Sequence, residues 1–300
     1  MRILVTGATG FVGRWLLPEL QGAGHEVIPA PSSSELDLGA SPDLAPLLRE
    51  ANPDAVVHLA AITFVPQATG DPELARRVTV GGTEALFAGL DAAGNRAAVL
   101  IPSSADVYGV PAALPIPESA PLQPHNEYGR TKLAQEDVAR AAAERGRMVV
   151  IARAFNHLGP GQRTTFVAPK LARDVLRLRA GEIDSIPIGD VTARRDFTDV
   201  RDVVAAYRLL LEATVGARTP DPCSVYNVGS GRSIAISELL ARMCELAGVE
   251  ARWHVDTAQL RPDEIHDRYA DTTALRDLTG WAPRIPLDDS LRDLLASTSG

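Results

Sequence analysis

The opening of the chain constrains its fold most. The apolar run RILVT (2–6) ends in the glycine-rich turn GATGFVG (7–13), and a helix-length amphipathic stretch runs from Phe11 to about Ala23. A strand with one wet face would alternate apolar and polar residues, so a run apolar throughout predicts a strand covered on both faces. The unit recurs. EVIPA (26–30), DAVVHLAA (54–61), AAVLIPSS (97–104) and RMVVIARAF (147–155) are further strand-type runs, with helical stretches at about 73–93 and 127–145 between them. Strands alternating with helices at this spacing predict right-handed βαβ units and a doubly wound parallel α/β sheet.

After Asn156 the rhythm changes. Gly159, Pro160 and Gly161 punctuate the chain, and shorter elements follow: helices at about 166–180, 200–212, 237–248 and 287–297, with strand-like runs at 186–189 and 224–229. We expect residues 1–160 and 196–228 to form a dinucleotide-binding domain. Residues 161–195 and 229–300 should form a smaller, discontinuous α/β capping domain that binds substrate. A length of 300 residues suits one large or two modest domains.

Composition excludes several classes. With 45% apolar and 23% charged residues the chain is an ordinary globular protein. Its net charge of −8, with no basic run, argues against nucleic acid as a partner. No apolar stretch approaches the ~18 residues a membrane span requires, so a cytoplasmic protein is expected. Cys223 and Cys244 are neither a disulfide framework nor a C-x-x-C pair, and read as reduced packing residues. The six histidines have no ligand spacing, so no metal is expected.

At a strand-to-helix turn, unpaired N–H groups and the positive end of the helix dipole suit a pyrophosphate, and glycines let its oxygens approach the backbone. Placed at the first βα turn, the glycines predict a Rossmann-type dinucleotide site. Their spacing is G-x-x-G-x-x-G, and the acid expected about 20 residues later, which would hold an adenosine ribose hydroxyl, is missing. The second strand instead leads into Ala30-Pro31-Ser32-Ser33-Ser34, with Arg14 a possible counter-charge. NADP(H) is therefore favoured slightly over NAD(H).

Tyr128 and Lys132 are four apart in a predicted helix and so share a face. Of 30 basic residues only Lys132 and Lys170 are lysine, so chance poorly explains the pairing. An ammonium beside a phenol should favour the phenolate and bring its pKa toward the working range. Ser103 and Ser104 end the fourth strand, at the carboxyl edge of the sheet where doubly wound proteins bind ligands.

In this order GATGFVG, HLAA (58–61), SSADVYG (103–109) and YGRTK (128–132) resemble the extended short-chain dehydrogenase/reductase superfamily of nucleotide-sugar enzymes. RAFNHLGPGQ (153–162), ARRDFTDVRDV (193–203), YNVGSG (226–231) and RPDEI (261–265) resemble the GDP-4-keto-6-deoxy-mannose reductases within it. The resemblance implies Tyr128 as general acid/base, Lys132 as the ribose ligand that tunes it, and Ser104 as hydrogen-bond donor to the reacting sugar oxygen. It implies a cofactor site of Gly7, Thr9, Gly10, Phe11, Val12, Asp37, Leu38, Leu59, Ala60 and Ala61, with Tyr128 and Lys132. Asp37 falls where the family reads adenine. Asn156, Arg195 and Arg261, with Ser104, fall where it contacts the nucleotide-diphosphate sugar. A homodimer through the helices near 73–93 and 128–145 is also implied.

Two positions depart from the family pattern. Thr79 replaces an asparagine, so a polar contact credited to an amide should be shorter or absent. Ala105-Asp106 replaces the Asp-Glu pair of the dehydratases, which disfavours elimination. The expected activity is reduction, by NAD(P)H, of the C4 ketone of a nucleotide-diphosphate 4-keto-6-deoxy-hexose. The alternatives are a 4-epimerase that retains NAD and a non-catalytic dinucleotide sensor.

Overall fold

A computed structural model describes residues 1–260 and 265–298. Its centre is a six-stranded sheet of β1 (Arg2–Thr6), β2 (Glu26–Pro29), β3 (Ala55–His58), β4 (Ala98–Ser104), β5 (Val149–Ala154) and β6 (Cys223–Val228). The spatial order is β6-β5-β4-β3-β1-β2, and every neighbouring pair is parallel. The order reverses between β1 and β3, the point at which doubly wound sheets form a crevice at the carboxyl ends of their strands. GATGFVG leaves β1 and HLAA leaves β3, so both segments border that crevice. β2 is an edge strand with Glu26 and Pro29 exposed, a position that tolerates proline because no neighbour needs its N–H.

Seven longer helices are α1 (Phe11–Gly22), α2 (Gly82–Ala92), α3 (Glu127–Glu144), α4 (Val167–Arg179), α5 (Val200–Val215), α6 (Ile236–Ala247) and α7 (Leu287–Thr298). Along β1 the side chains alternate between faces. Ile3 and Val5 pack with Leu16 and Leu20 of α1 and Val203 and Leu210 of α5. Leu4 packs with Phe87 and Leu90 of α2 and Ala139 of α3. α4, α6 and α7 enclose a separate core built from Leu171, Val175, Leu239, Met243, Leu291 and Leu294. This is the cap.

Small strands tie cap to sheet. Arg194–Arg195 lies between Ile234–Ala235 and Asp267–Arg268, and Asn156–Leu158 pairs with Phe197–Asp199. A short helix, Thr273–Thr279, which the periodicity did not foretell, returns to the sheet with Trp281. The Trp281 indole is buried against α5 and donates to the Asp202 carbonyl at 3.0 Å. The helix expected over 73–93 forms and contains one π-helical turn: Pro72–Arg76 runs through Arg77–Gly81, which carries Thr79, into α2. Among the described residues no helix is long and apolar enough to cross a membrane.

Candidate active site

The crevice floor starts at the glycine turn. Gly7 has φ +65°, and a Cβ there would lie 2.8 Å from the Ala60 nitrogen and 2.9 Å from the Leu59 carbonyl carbon. Only glycine accepts both the backbone and the approach of HLAA. A Cβ on Gly13 would lie 2.4 Å from the Ala8 oxygen, so that residue is needed for α1 to sit close behind the turn. Gly10 caps α1 without any side-chain bond to the helix N–H groups, while Thr9 and Gly10 are exposed. This bare helix start, cradled by glycines, fits a pyrophosphate. Phe11 stacks on His157 at 6.0 Å, and Arg14 donates to the Thr9 carbonyl at 3.1 Å.

HLAA is pinned from two sides. Ala60 N donates to Thr6 Oγ1 at 3.3 Å, and Ile62 N donates to Thr79 Oγ1 at 3.1 Å. The threonine thus keeps a polar contact from the π turn, answering the question its departure from the family pattern raised. Asp37, exposed, accepts from Gly39 N, and Leu38 beside it is buried. After β2 the Ser32 N–H and hydroxyl both donate to Glu35. The Glu35 carboxylate therefore stands in the hydroxyl-rich segment after β2, where none was expected.

His58, just below, is buried and hydrogen-bonded through Nδ1 to Thr6 Oγ1 at 2.8 Å, while Nε2 has no partner among the described residues. Burial, and secondly the Lys132 charge, push its pKa down to about 3 from 6.5. The unfolded chain binds the extra proton between those values. His58 thus favours the folded state fully above about pH 6.5, and that contribution is lost as pH falls toward 3. His58→Gln is expected to flatten the acid limb of stability by up to about 1.4 kcal/mol per pH unit in that window. Urea unfolding at about pH 7, 5 and 4 measures it, and equal slopes for both proteins would refute it.

Ser103 and Ser104 point oppositely, as successive strand residues must. Ser103 donates to Glu136 Oε1 at 2.6 Å in the interior. Ser104 caps the turn after β4, donating to Asp106 Oδ2 at 3.1 Å, and its hydroxyl also interacts with the Tyr128 phenol. Asn126 caps α3 by accepting from Gly129 N at 2.7 Å and donates to Asp106 Oδ1 at 2.9 Å. The first turn of α3, with Tyr128, is thereby fixed on the Asp106 loop.

Lys132, one turn on, is buried and donates to the Pro102 carbonyl at 2.8 Å and to Gln135 Oε1 at 2.9 Å. Gln135 donates in turn to Thr83, and Thr83 to the Thr79 carbonyl. Among the described residues these two acceptors leave one of the three ammonium donors for a ligand hydroxyl. Burial lowers the Lys132 pKa to about 8.

The expectation that the ammonium would lower the phenol pKa is not met. The Tyr128 pKa is raised above its usual value, first by burial and then by the Asp106 charge, with Ser104 and Arg268 opposing. The lysine shares the helix face, but its charge is engaged by Pro102 and Gln135. The phenol is a proton donor at rest.

The cap side holds the remaining sequence candidates. Asn156 begins the short strand beyond β5, opposite Phe197. Arg195 is buried, and its Nη1 donates to the carbonyls of Arg194 and Ile265 at 2.7 Å each. Arg261 lies outside the described residues. Sequence reasoning missed Asn126, Gln135 and Arg268. Of these, Asn126 carried a signal: an N-cap residue just before the helix holding Tyr128.

Residues 3–229 match the model of the NAD dependent epimerase/dehydratase family. The chain is 39% identical to the GDP-6-deoxy-D-mannose reductase of Pseudomonas aeruginosa, covering 98% of this chain and 96% of the relative. It is 31% identical to the UDP-glucose 4-epimerase of Azospirillum brasilense, covering 98% and 91%. Among solved structures it resembles RMD from Pseudomonas aeruginosa complexed with NADPH, with a TM-score of 0.89 and 36% identity over 99% of both chains.

Proposed function

The chain belongs to the NAD dependent epimerase/dehydratase family, and from that premise we propose that it reduces the C4 ketone of a GDP-linked 4-keto-6-deoxy-hexose, using NADPH ahead of NADH. One observation carries the reading: at the mouth of the sheet a protonated phenol, Tyr128, stands beside the Ser104 hydroxyl. Ketone reduction needs a proton donor at the oxygen while the carbon accepts a hydride.

Gly7, Gly10 and the start of α1 would hold the pyrophosphate, Asp37 and Leu38 would flank the adenine, and Lys132 would bind ribose hydroxyls. When bound, the reduced nicotinamide supplies the hydride. Ser104 orients the ketone oxygen. Tyr128 gives that oxygen its proton, leaving a secondary alcohol and a phenolate that solvent reprotonates. Asn156, Arg195 and Arg261 are proposed to contact the sugar diphosphate, because arginine offers the fork-shaped donors that diphosphate oxygens accept. The reading divides the chain into a cofactor domain of 1–160 and 196–228 and a substrate domain of 161–195 and 229–300. It takes the protein as a cytoplasmic homodimer associating near 73–93 and 128–145.

Asp106 weighs against dehydration. Its pKa is lowered by Arg268, Asn126 and Ser104 against the opposing effect of burial, so it is a poor base. Epimerisation begins by taking a proton from a sugar hydroxyl, which a phenol held protonated does poorly. The test offers the protein a GDP-4-keto-6-deoxy-hexose with NADPH, and separately NADH, and follows nicotinamide absorbance. One reduced cofactor consumed per ketone is expected. Inversion at C4 of the corresponding GDP-6-deoxy-hexose, which carries a C4 hydroxyl, without net cofactor consumption would establish the epimerase instead.

A further inference from the structure

The phosphate turn, the Tyr128 face of α3 and the diphosphate arginines account for the site as read so far. They leave one group without a role. Arg268 lies in the short strand Asp267–Arg268 of the cap, yet its guanidinium reaches into the catalytic loop, where Nη1 is 3.2 Å from Asp106 Oδ1. The side chain is buried, and neither Nε nor Nη1 completes a hydrogen bond among the described residues. A buried cation with unfilled donors is costly to keep, so its position calls for a compensating role.

Its backbone is held from several directions. The Arg268 carbonyl accepts from Asp196 N at 3.1 Å, and the Tyr269 carbonyl accepts from Ile116 N at 2.9 Å. Two residues on, Ala270 N donates to the buried Asp196 carboxylate at 3.1 Å. At the other end of the ion pair, Asp106 receives Ser104 on one oxygen and Asn126 on the other. Both donors bear on Tyr128: the Ser104 hydroxyl acts on the phenol, and Asn126 caps the helix that carries it.

We propose that Arg268 is a positioning residue, which holds the Asp106 carboxylate in place under Ser104 and Asn126 and screens the Tyr128 phenol from that negative charge. The cap would then contribute to the proton donor as well as to the substrate pocket. The catalytic meaning rests on the reductase reading above, but the electrostatic claim concerns the phenol itself and is testable without turnover.

Among the described residues, the charged and titratable groups around Tyr128 come from several elements. Asp106 comes from the loop after β4 and Arg268 from the cap. Lys132 is one turn along α3 and is turned to Pro102 and Gln135. Tyr207 faces it from α5, and His125 lies beside the Asn126 amide. His58, from β3, is kept neutral by burial and by the Lys132 charge. Asp106 and Arg268 are opposed in their effect on the phenol.

Opposition makes the test specific. The full chain is labelled with ¹³Cζ-tyrosine, the Tyr128 resonance is identified by its loss in Tyr128→Phe, and its ionisation midpoint is followed with pH. Asp106→Asn leaves Arg268 unopposed and is expected to lower the midpoint by about one pH unit or more. Adding Arg268→Met to Asp106→Asn should move it back up by a similar amount. That double variant buries no bare charge, which guards against simple unfolding, and circular dichroism confirms the fold. Arg268→Lys alone should stay nearer the parent than Arg268→Met, whose midpoint should rise. An unchanged midpoint in Asp106→Asn, or no return in the double variant, would overturn the proposal. Failure of the parent protein to oxidise NAD(P)H with the ketone would instead count against the reductase reading alone.

Discussion

Tyr128→Phe is expected to lower ketone turnover by about 10²–10⁴-fold, while the fold and the affinity for dinucleotide survive. The substitution removes one oxygen. That oxygen lies among Ser104, Asp106 and Arg268, and phenylalanine leaves those groups their bonds to one another, so its loss strands no interior donor or acceptor. The phenyl ring keeps its packing, and the glycine turn that would hold the pyrophosphate is untouched. Only the proton donor disappears. Steady-state kinetics with cofactor binding measured by fluorescence checks both halves, and an unchanged rate would take the phenol out of the mechanism. The raised phenol pKa adds a direction. Reduction needs the protonated form, which is present throughout the neutral range, so this group should not limit reduction there. The reverse oxidation needs the phenolate, so its rate should climb with pH.

The sheet was legible because its inner strands are covered on both faces, and burial of that kind writes uninterrupted apolar runs into the sequence. β1, β3, β4 and β5 all fall within runs read in advance. The glycine turn was legible because few residues besides glycine tolerate the +65° φ of Gly7 or the contacts at Gly13. Two-residue strands such as Asp267–Arg268 leave no period to detect, and the ion pair they deliver joins residues 162 positions apart, Asp106 to Arg268. The misjudged phenol has the same origin. Spacing put Lys132 on the Tyr128 face, but the direction of its ammonium depends on Pro102 and Gln135, and the charge that acts most on the phenol is that of Asp106. Glu35 shows the local version: a hydroxyl-rich turn looked free of negative charge until the chain folded a neighbouring carboxylate onto it.

Motif letters can also serve the scaffold. Arg153 opens the RAFN segment, read for Asn156, yet its side chain is buried, with Nε and Nη2 on the two oxygens of Glu136 at 2.9 and 2.7 Å. Its Nη1 donates to Tyr108 Oη at 3.1 Å, and Tyr108 donates to Asn227 Oδ1 at 2.7 Å. The network thus spans β5, α3, the SSADVYG loop and β6. It also receives Ser103, the serine turned away from the crevice, so the same ion pair steadies the strand end that presents Ser104. Arg153→Met should leave Glu136 as an uncompensated interior charge, Arg140 being its partly exposed remaining partner. A loss of about 3–5 kcal/mol is expected. Glu136→Gln combined with Arg153→Met removes both charges, keeps an acceptor for Ser103, and should recover much of that loss. Urea midpoints for the parent, the single and the double variant decide. If the single variant lost less than about 1 kcal/mol, or the losses merely added, the pair would not be what holds these elements together.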